Sequence, residues 1–260
     1  MDKRFGDVSV QIEGHVALVE IHRPPYNFFD VTLIQDLADA FEALDAEPLC
    51  RASVLATEGS AFCAGANFDD GPSVLDKEDP EQLNPLYTAA VRLFACKKPT
   101  IAAVQGTAAG GGLGLALAAD FRVTCPEARF TANFTRLGLH PGFGLTYTLP
   151  RLIGSQRAQL MFYTGRRIPG EQAVAWGLAD ALAERDRVRA EAAALAAEIA
   201  ECAPLAVVST RKTLRVELAE RVRKQTVLED AEQAWLADTE DFQEGVRAVA
   251  ERRPGQFKGR

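Results

Sequence analysis

The chain has 260 residues, 47% of them hydrophobic and 25% charged, which is enough apolar material for a sizeable core and excludes a disordered segment. Its net charge of −7, from 36 acidic and 29 basic residues, excludes a nucleic-acid binder that works through a broad basic face. Five scattered cysteines without a C-x-x-C pair suggest neither a disulfide framework nor a zinc site, and fit a reducing, cytoplasmic setting.

The first residues, MDKRFGDVSVQIEG, lack the apolar stretch of a signal peptide, and no apolar run reaches the roughly 20 residues needed to cross a bilayer, so no membrane partner is expected. Residues 8–12 and 15–22 alternate apolar with polar around Glu13-Gly14 and predict a β-hairpin. After the extended Arg23-Pro24-Pro25, Asp30 is placed to cap a helix whose apolar residues Leu33, Ile34, Leu37, Ala38, Phe41 and Leu44 recur at helical spacing. A strand over 52–57 leads to the loop 58–67. Residues 69–85 are acidic, proline-containing and poor in apolar residues, which predicts an exposed loop.

A helix near 86–96, a strand over 100–104, a glycine-rich turn and an Ala/Leu helix ending near Ala119 follow in the order expected of parallel β packing. Two short strands are expected between Phe121 and Phe130, and beyond about residue 155 the strand signal ends. Residues 187–202, 204–219 and 221–250 have helical periodicity, giving an α/β core followed by a helical C-terminal region. The expected division is 1–200 for the core and 201–260 for the helices.

Two loops carry the chemistry. Residues 62–67 (FCAGAN) follow a strand, and their small side chains let a ligand approach the main chain. Residues 106–114 (GTAAGGGLG) join a strand to a helix, whose first amides are unpaired and sit at its positive end. One amide from each loop can converge on a carbonyl oxygen, forming an oxyanion hole. A dinucleotide or P-loop site is the rival reading, but no window fits G-x-G-x-x-G, and the Walker lysine is absent. The three histidines (His15, His22, His140) lack metal-ligand spacing, so neither a metal nor a separate cofactor is expected.

FCAGAN, followed about 40 residues later by A-V-Q-G-x-A-x-G-G-G-L-G, resembles the double signature of the crotonase (enoyl-CoA hydratase/isomerase) superfamily. The resemblance continues through residues 119–122, 128–130, 137–144, 149–154, 164–166 and 173–178. It implies an α/β fold, a spiral of ββα units with a C-terminal helical region that assembles trimers or dimers of trimers. It also implies an acyl-CoA or enoyl-CoA substrate, with coenzyme A present only as part of the thioester. By motif position, the oxyanion amides are those of Ala64 and Gly111. Coenzyme A contacts are implied at the main chain of Cys63, Ala64 and Ala66, near Arg23 and Pro25, and at Phe257 and Lys258, which match a tail that reaches a neighbouring chain.

One departure stands out. Where hydratases of the family carry two glutamates, this sequence has Gly114 and Phe134, neither able to move a proton. Gly142 stands where the dehalogenase branch uses an aspartate. His140 and Asp69 are the candidate acid–base groups, with Asp70 beside the latter; a structural histidine and a solvated acidic loop are the competing readings. Tyr87, Asn133 and Tyr147 are candidate hydrogen-bonding groups. Asp120 reads as a structural ion pair or cap and Cys63 as small-side-chain packing. Losing both glutamates should leave the acyl pocket roomier on one side and apolar on the other, suited to a bulky or aromatic acyl group. The expected activity is acyl-CoA processing of the hydratase/isomerase type, and the alternative is a non-catalytic acyl-CoA binder on the same fold.

Overall fold

In the computed structural model, which describes residues 2–67, 74–77, 79 and 82–260, the chain opens with three antiparallel strands, β1 (Asp2–Phe5), β2 (Val8–Glu13) and β3 (Val16–Ile21). The alternation seen in the sequence is used on one face, since Val8, Val10, Ala17, Val19 and Ile21 are buried. Helix α1 (Val31–Ala46) is capped as its sequence predicts: Asp30 Oδ1 accepts from the Leu33 amide at 2.8 Å, and the apolar stripe Leu33 to Leu44 faces the core.

Strands β4 (Ala52–Thr57), β5 (Thr100–Val104) and β7 (Phe121–Thr124) extend the sheet in parallel, with helix α2 (Pro85–Ala95) crossing between β4 and β5. Every residue of β4 and β5 is buried, as a parallel sheet covered on both faces requires. A second sheet begins with β6 (Thr107–Ala109) and β8 (Arg129–Thr131), which pair in parallel. Helix α3 (Gly111–Ala118) lies between β6 and β7 and is buried along its whole length. Thus β5, β6 and α3 make one ββα turn, and β7, β8 and the helices after them make the next.

Four strands escaped the sequence reading: β1, which precedes the predicted hairpin, β6, which falls in the glycine-rich turn, and two short ones after β8. Strand β9 (Ile168–Pro169) joins the small sheet, order β6-β8-β9, and β10 (Ala181–Leu182) closes the large one, order β1-β2-β3-β4-β5-β7-β10. Each has two residues, too few to show a period, and each exists because a partner strand is already in place.

The remaining helices are α4 (Leu145–Ile153), α5 (Ser155–Thr164), α6 (Gly170–Trp176), α7 (Val188–Glu201), α8 (Pro204–Leu214), α9 (Leu218–Leu236) and α10 (Glu240–Ala250). Asp120 is structural: it accepts from the Thr100 amide at 2.9 Å and pairs with Arg211 at 2.9 Å and Arg215 at 2.7 Å, tying α8 and the residue after it to the core. The stretch 69–85 is not exposed throughout, because Val74 and Asn84 are buried and Asn84 Nδ2 donates to the Val74 carbonyl at 2.8 Å. No single helix among the described residues is long and apolar enough to cross a membrane.

Candidate active site

The two small-residue loops are joined by a parallel bridge between Cys63 and Ala108: the Cys63 amide donates to the Thr107 carbonyl at 2.9 Å, and the Ala109 amide to the Cys63 carbonyl at 3.0 Å. Glycine is required for that approach. A Cβ on Gly112 would collide with the Cys63 carbonyl, and one on Gly65 would lie 3.0 Å from that of Ala109.

The Ala64 amide, expected to face the substrate, donates instead to the Tyr26 carbonyl at 2.9 Å, so it has no free hydrogen for a ligand. Gly65, at φ 96°, then turns the chain. The Ala66 amide beyond it has no acceptor among the described residues. The Gly111 amide, at the first position of α3, has none either; there, the Gly110 carbonyl receives the amides of Leu113 and Gly114.

Ala66 and Gly111 line one cavity of about 160 Å³. Its walls are largely apolar, with Phe29, Leu86, Phe134, Leu139 and Phe143 contributed by the core and Val246 and Val249 by α10. The expected room beside Gly114 is absent. A Cβ there would lie 2.7 Å from that of Phe143, whose ring packs against Phe29 with centroids 5.8 Å apart. Phe134 does supply an apolar wall, as expected.

The polar lining is sparse. Asn133 sits with its Oδ1 3.5 Å from where a Gly110 Cβ would be, and its side chain makes no hydrogen bond among the described residues. Tyr87 donates its hydroxyl proton to Gln233 Oε1, and Gln233 Nε2 donates to the His140 carbonyl at 2.8 Å. Burial keeps the Tyr87 phenol well above its ordinary range, so it stays protonated.

Other candidates lie elsewhere. His140 borders a second cavity and not the first, and its Nδ1 lies 2.7 Å from the Pro141 carbonyl; Gln233 holds the His140 carbonyl, and nearby Leu139 and Gly142 line the first cavity. Cys63 is fully buried, its amide and carbonyl are both used in the bridge, and burial pushes its thiol up to about 12, so it offers a ligand nothing. Arg23 is held by Asp7 at 2.7 Å and Asp30 at 2.8 Å, and the Pro25 carbonyl by the amides of Ser60 and Ala61; neither residue borders the cavity. Phe257 borders the second cavity, and the Lys258 amide donates to Asp241 at 2.6 Å, so within the protomer both are away from Ala66 and Gly111. Tyr147 lies under Arg151, 5.1 Å from ring centroid to guanidinium. Asp69 and Asp70 fall outside the described residues.

The sequence reading missed Gln233 and Phe143. Gln233 lies 146 residues from Tyr87, on a helix whose charged sequence hides its inward face, and nothing local marks it. Phe143 falls within the 137–144 stretch of the resemblance, but its packing onto Gly114 depends on its own backbone at φ 63°.

A family model described as enoyl-CoA hydratase/isomerase matches residues 11–260. The chain belongs to the enoyl-CoA hydratase/isomerase family. Among its relatives, a probable enoyl-CoA hydratase of Rhodobacter capsulatus is 34% identical over 98% of this chain and 99% of its own. One of Bacillus subtilis is 31% identical over 97% and 98%. The fold is that of crotonases: the enoyl-CoA hydratase/isomerase of Pseudoalteromonas atlantica superposes with a TM-score of 0.86 at 28% identity, covering 97% of this chain and all of the other. Enoyl-CoA hydratases act on CoA thioesters, and among the described residues no group of three or more metal-ligating side chains is found.

Proposed function

We propose that the protein is an acyl-CoA-processing enzyme that holds the thioester carbonyl oxygen of an acyl-CoA or enoyl-CoA between the amides of Ala66 and Gly111. The observation that carries this reading is that these two amides lack acceptors among the described residues, come from loops zipped together at Cys63 and Ala108, and belong to residues that line one apolar cavity. Two such donors stabilise charge developing on the oxygen, each worth about 10²–10³ in rate, and the N-terminus of α3 adds its positive end. An enolate-like state is therefore accessible in hydration, isomerisation, decarboxylation or thioester hydrolysis.

Two-glutamate hydration is not the route proposed. Gly114 is covered by Phe143 and Phe134 is a ring, and Tyr87 is the one titratable side chain among the described residues that line the cavity. Asp69 remains the carboxylate that the sequence offers to the chemistry. Calorimetric titration with acyl-CoA and enoyl-CoA thioesters, run beside turnover assays, tests the reading: the wild type is expected to bind and turn over, Gly111→Pro to lose both, and Asp69→Ala to bind without turnover. Binding without turnover in the wild type would leave a non-catalytic acyl-CoA binder.

Assembly into a trimer or a dimer of trimers is part of the proposal. Helix α8 has no buried residue in the isolated chain, and Leu205 and Leu214 are 85% and 76% exposed, which favours a partner surface there.

A further inference from the structure

Two successive residues at the cavity, Phe143 and Gly144, are left-handed, at φ 63° and 71°. A bulky side chain keeps that backbone conformation only where its surroundings hold it. Helix α9 supplies the hold. Its Glu229 carboxyl, fully buried, accepts from the Gly144 amide at 2.7 Å and from the amide and hydroxyl of Thr146, so all three of its partners are donors. One turn further along α9, Gln233 accepts the Tyr87 hydroxyl at the polar corner beside Gly142, and the Phe143 amide approaches the Tyr87 oxygen in turn. Val222 of the same helix leaves no room for a side chain at Gly144, since its Cγ1 lies 2.7 Å from where a Cβ would be.

The ring placed by this turn is a wall of the acyl cavity. It covers Gly114, packs against Phe29, and lies 3.5 Å from where a Gly111 Cβ would be, beside the amide proposed to meet the thioester oxygen. From this arrangement we infer that Glu229, which does not itself line the cavity, is a positioning residue for acyl-chain length: it holds the Phe143–Gly144 turn and so seats the ring that limits how long an acyl group is accepted. The inference rests on the proposed thioester reading. A carboxyl is needed rather than any polar group, because both oxygens accept; in Glu229→Gln one of the two meets a backbone amide with an N–H instead, whichever way the carboxamide is turned. A cavity of about 150 Å³ accepts a benzene-sized guest, so about 160 Å³ corresponds to an acyl group of about six carbons.

Titration of the full-length protein with hexanoyl-CoA and decanoyl-CoA tests the inference. The wild type is expected to bind hexanoyl-CoA about tenfold or more tightly, because the longer chain has to displace the ring. In Phe143→Ala and in Glu229→Gln that ratio is expected to fall to about twofold or less, and in the double variant no further than in Phe143→Ala alone, since both substitutions act through one ring. A role confined to folding would lower the urea midpoint of Glu229→Gln and leave the ratio as it is in the wild type. Should Glu229→Gln not fold, Thr146→Val, which removes one hydroxyl donor to the carboxyl, carries the same expectation. If the thioesters bind but the wild type has no such preference, or if the substitution at 229 or 143 leaves it intact, the inference is overturned while the thioester reading stands. If neither thioester binds, that reading fails and the inference falls with it.

Discussion

At the scale of single residues, the outcome at each missing glutamate depends on what moved into its place. Phe143 packs directly on Gly114, its Cβ 2.7 Å from the position a new Cβ would take. Gly114→Glu is therefore expected to cost about 1–3 kcal/mol by overpacking and to leave crotonyl-CoA hydration at the wild-type level. The double variant Gly114→Glu/Phe143→Ala is the one expected to gain hydration. Urea unfolding and a hydration assay check both, and rapid hydration by the single variant would contradict the packing argument. The same scale shows the limit of motif reading. FCAGAN identified the loop but not the amide, because which N–H is free depends on the Tyr26 carbonyl and on φ at Gly65, neither of which a spacing records.

Among the elements, helix α9 does more than its sequence suggests. Its Glu229 is fully buried and caps α4, accepting from the Gly144 amide at 2.7 Å, the Thr146 amide at 2.9 Å and the Thr146 hydroxyl at 2.5 Å. Burial pushes its carboxyl from 4.5 up to about 7, against the pull of those hydrogen bonds. Between these values the unfolded chain is ionised and the folded one protonated, so folding takes up a proton and stability falls as pH rises, levelling off above about 7. At about 1.4 kcal/mol per pH unit, the fall is of the order of 3 kcal/mol. Urea midpoints measured between about pH 5 and pH 8 should show this decline in the wild type and a flatter profile in Glu229→Gln; equal slopes would exclude Glu229 as the cause. The long elements α1, β4, α2 and β5 were legible because a stripe or a continuous apolar run reports burial directly. In α9 the inward residues are Val222, Thr226, Glu229, Asp230 and Gln233, a polar stripe with no apolar period to read.

For the whole molecule, residues 201–260 line part of the cavity and are proposed to carry the assembly surface as well. The sequence suggested an oligomerisation region, and α8 has the exposed apolar side chains for it. The same region also seals the cavity, through Gln233 of α9 and Val246 and Val249 of α10. A chain ending at residue 200 is therefore expected to lose thioester binding and to unfold at lower urea, and light scattering on the full chain to report three or six copies. Retention of binding by the shortened chain would show that the helices are peripheral to the site. The double loop signature made the family legible across nearly the whole chain, whereas the polar corner at Gly142 required three distant segments to be brought together.

The most direct test of the central claim is the infrared stretching frequency of an isotopically labelled thioester carbonyl bound to the full-length protein. Polarisation by two amides lowers that frequency relative to the thioester in water. The wild type is expected to show the shift, and Gly111→Pro and Ala66→Pro each to lose much of it, while Ala64→Gly, which keeps its amide on the Tyr26 carbonyl, retains it. An unshifted carbonyl in the bound wild type would contradict the account.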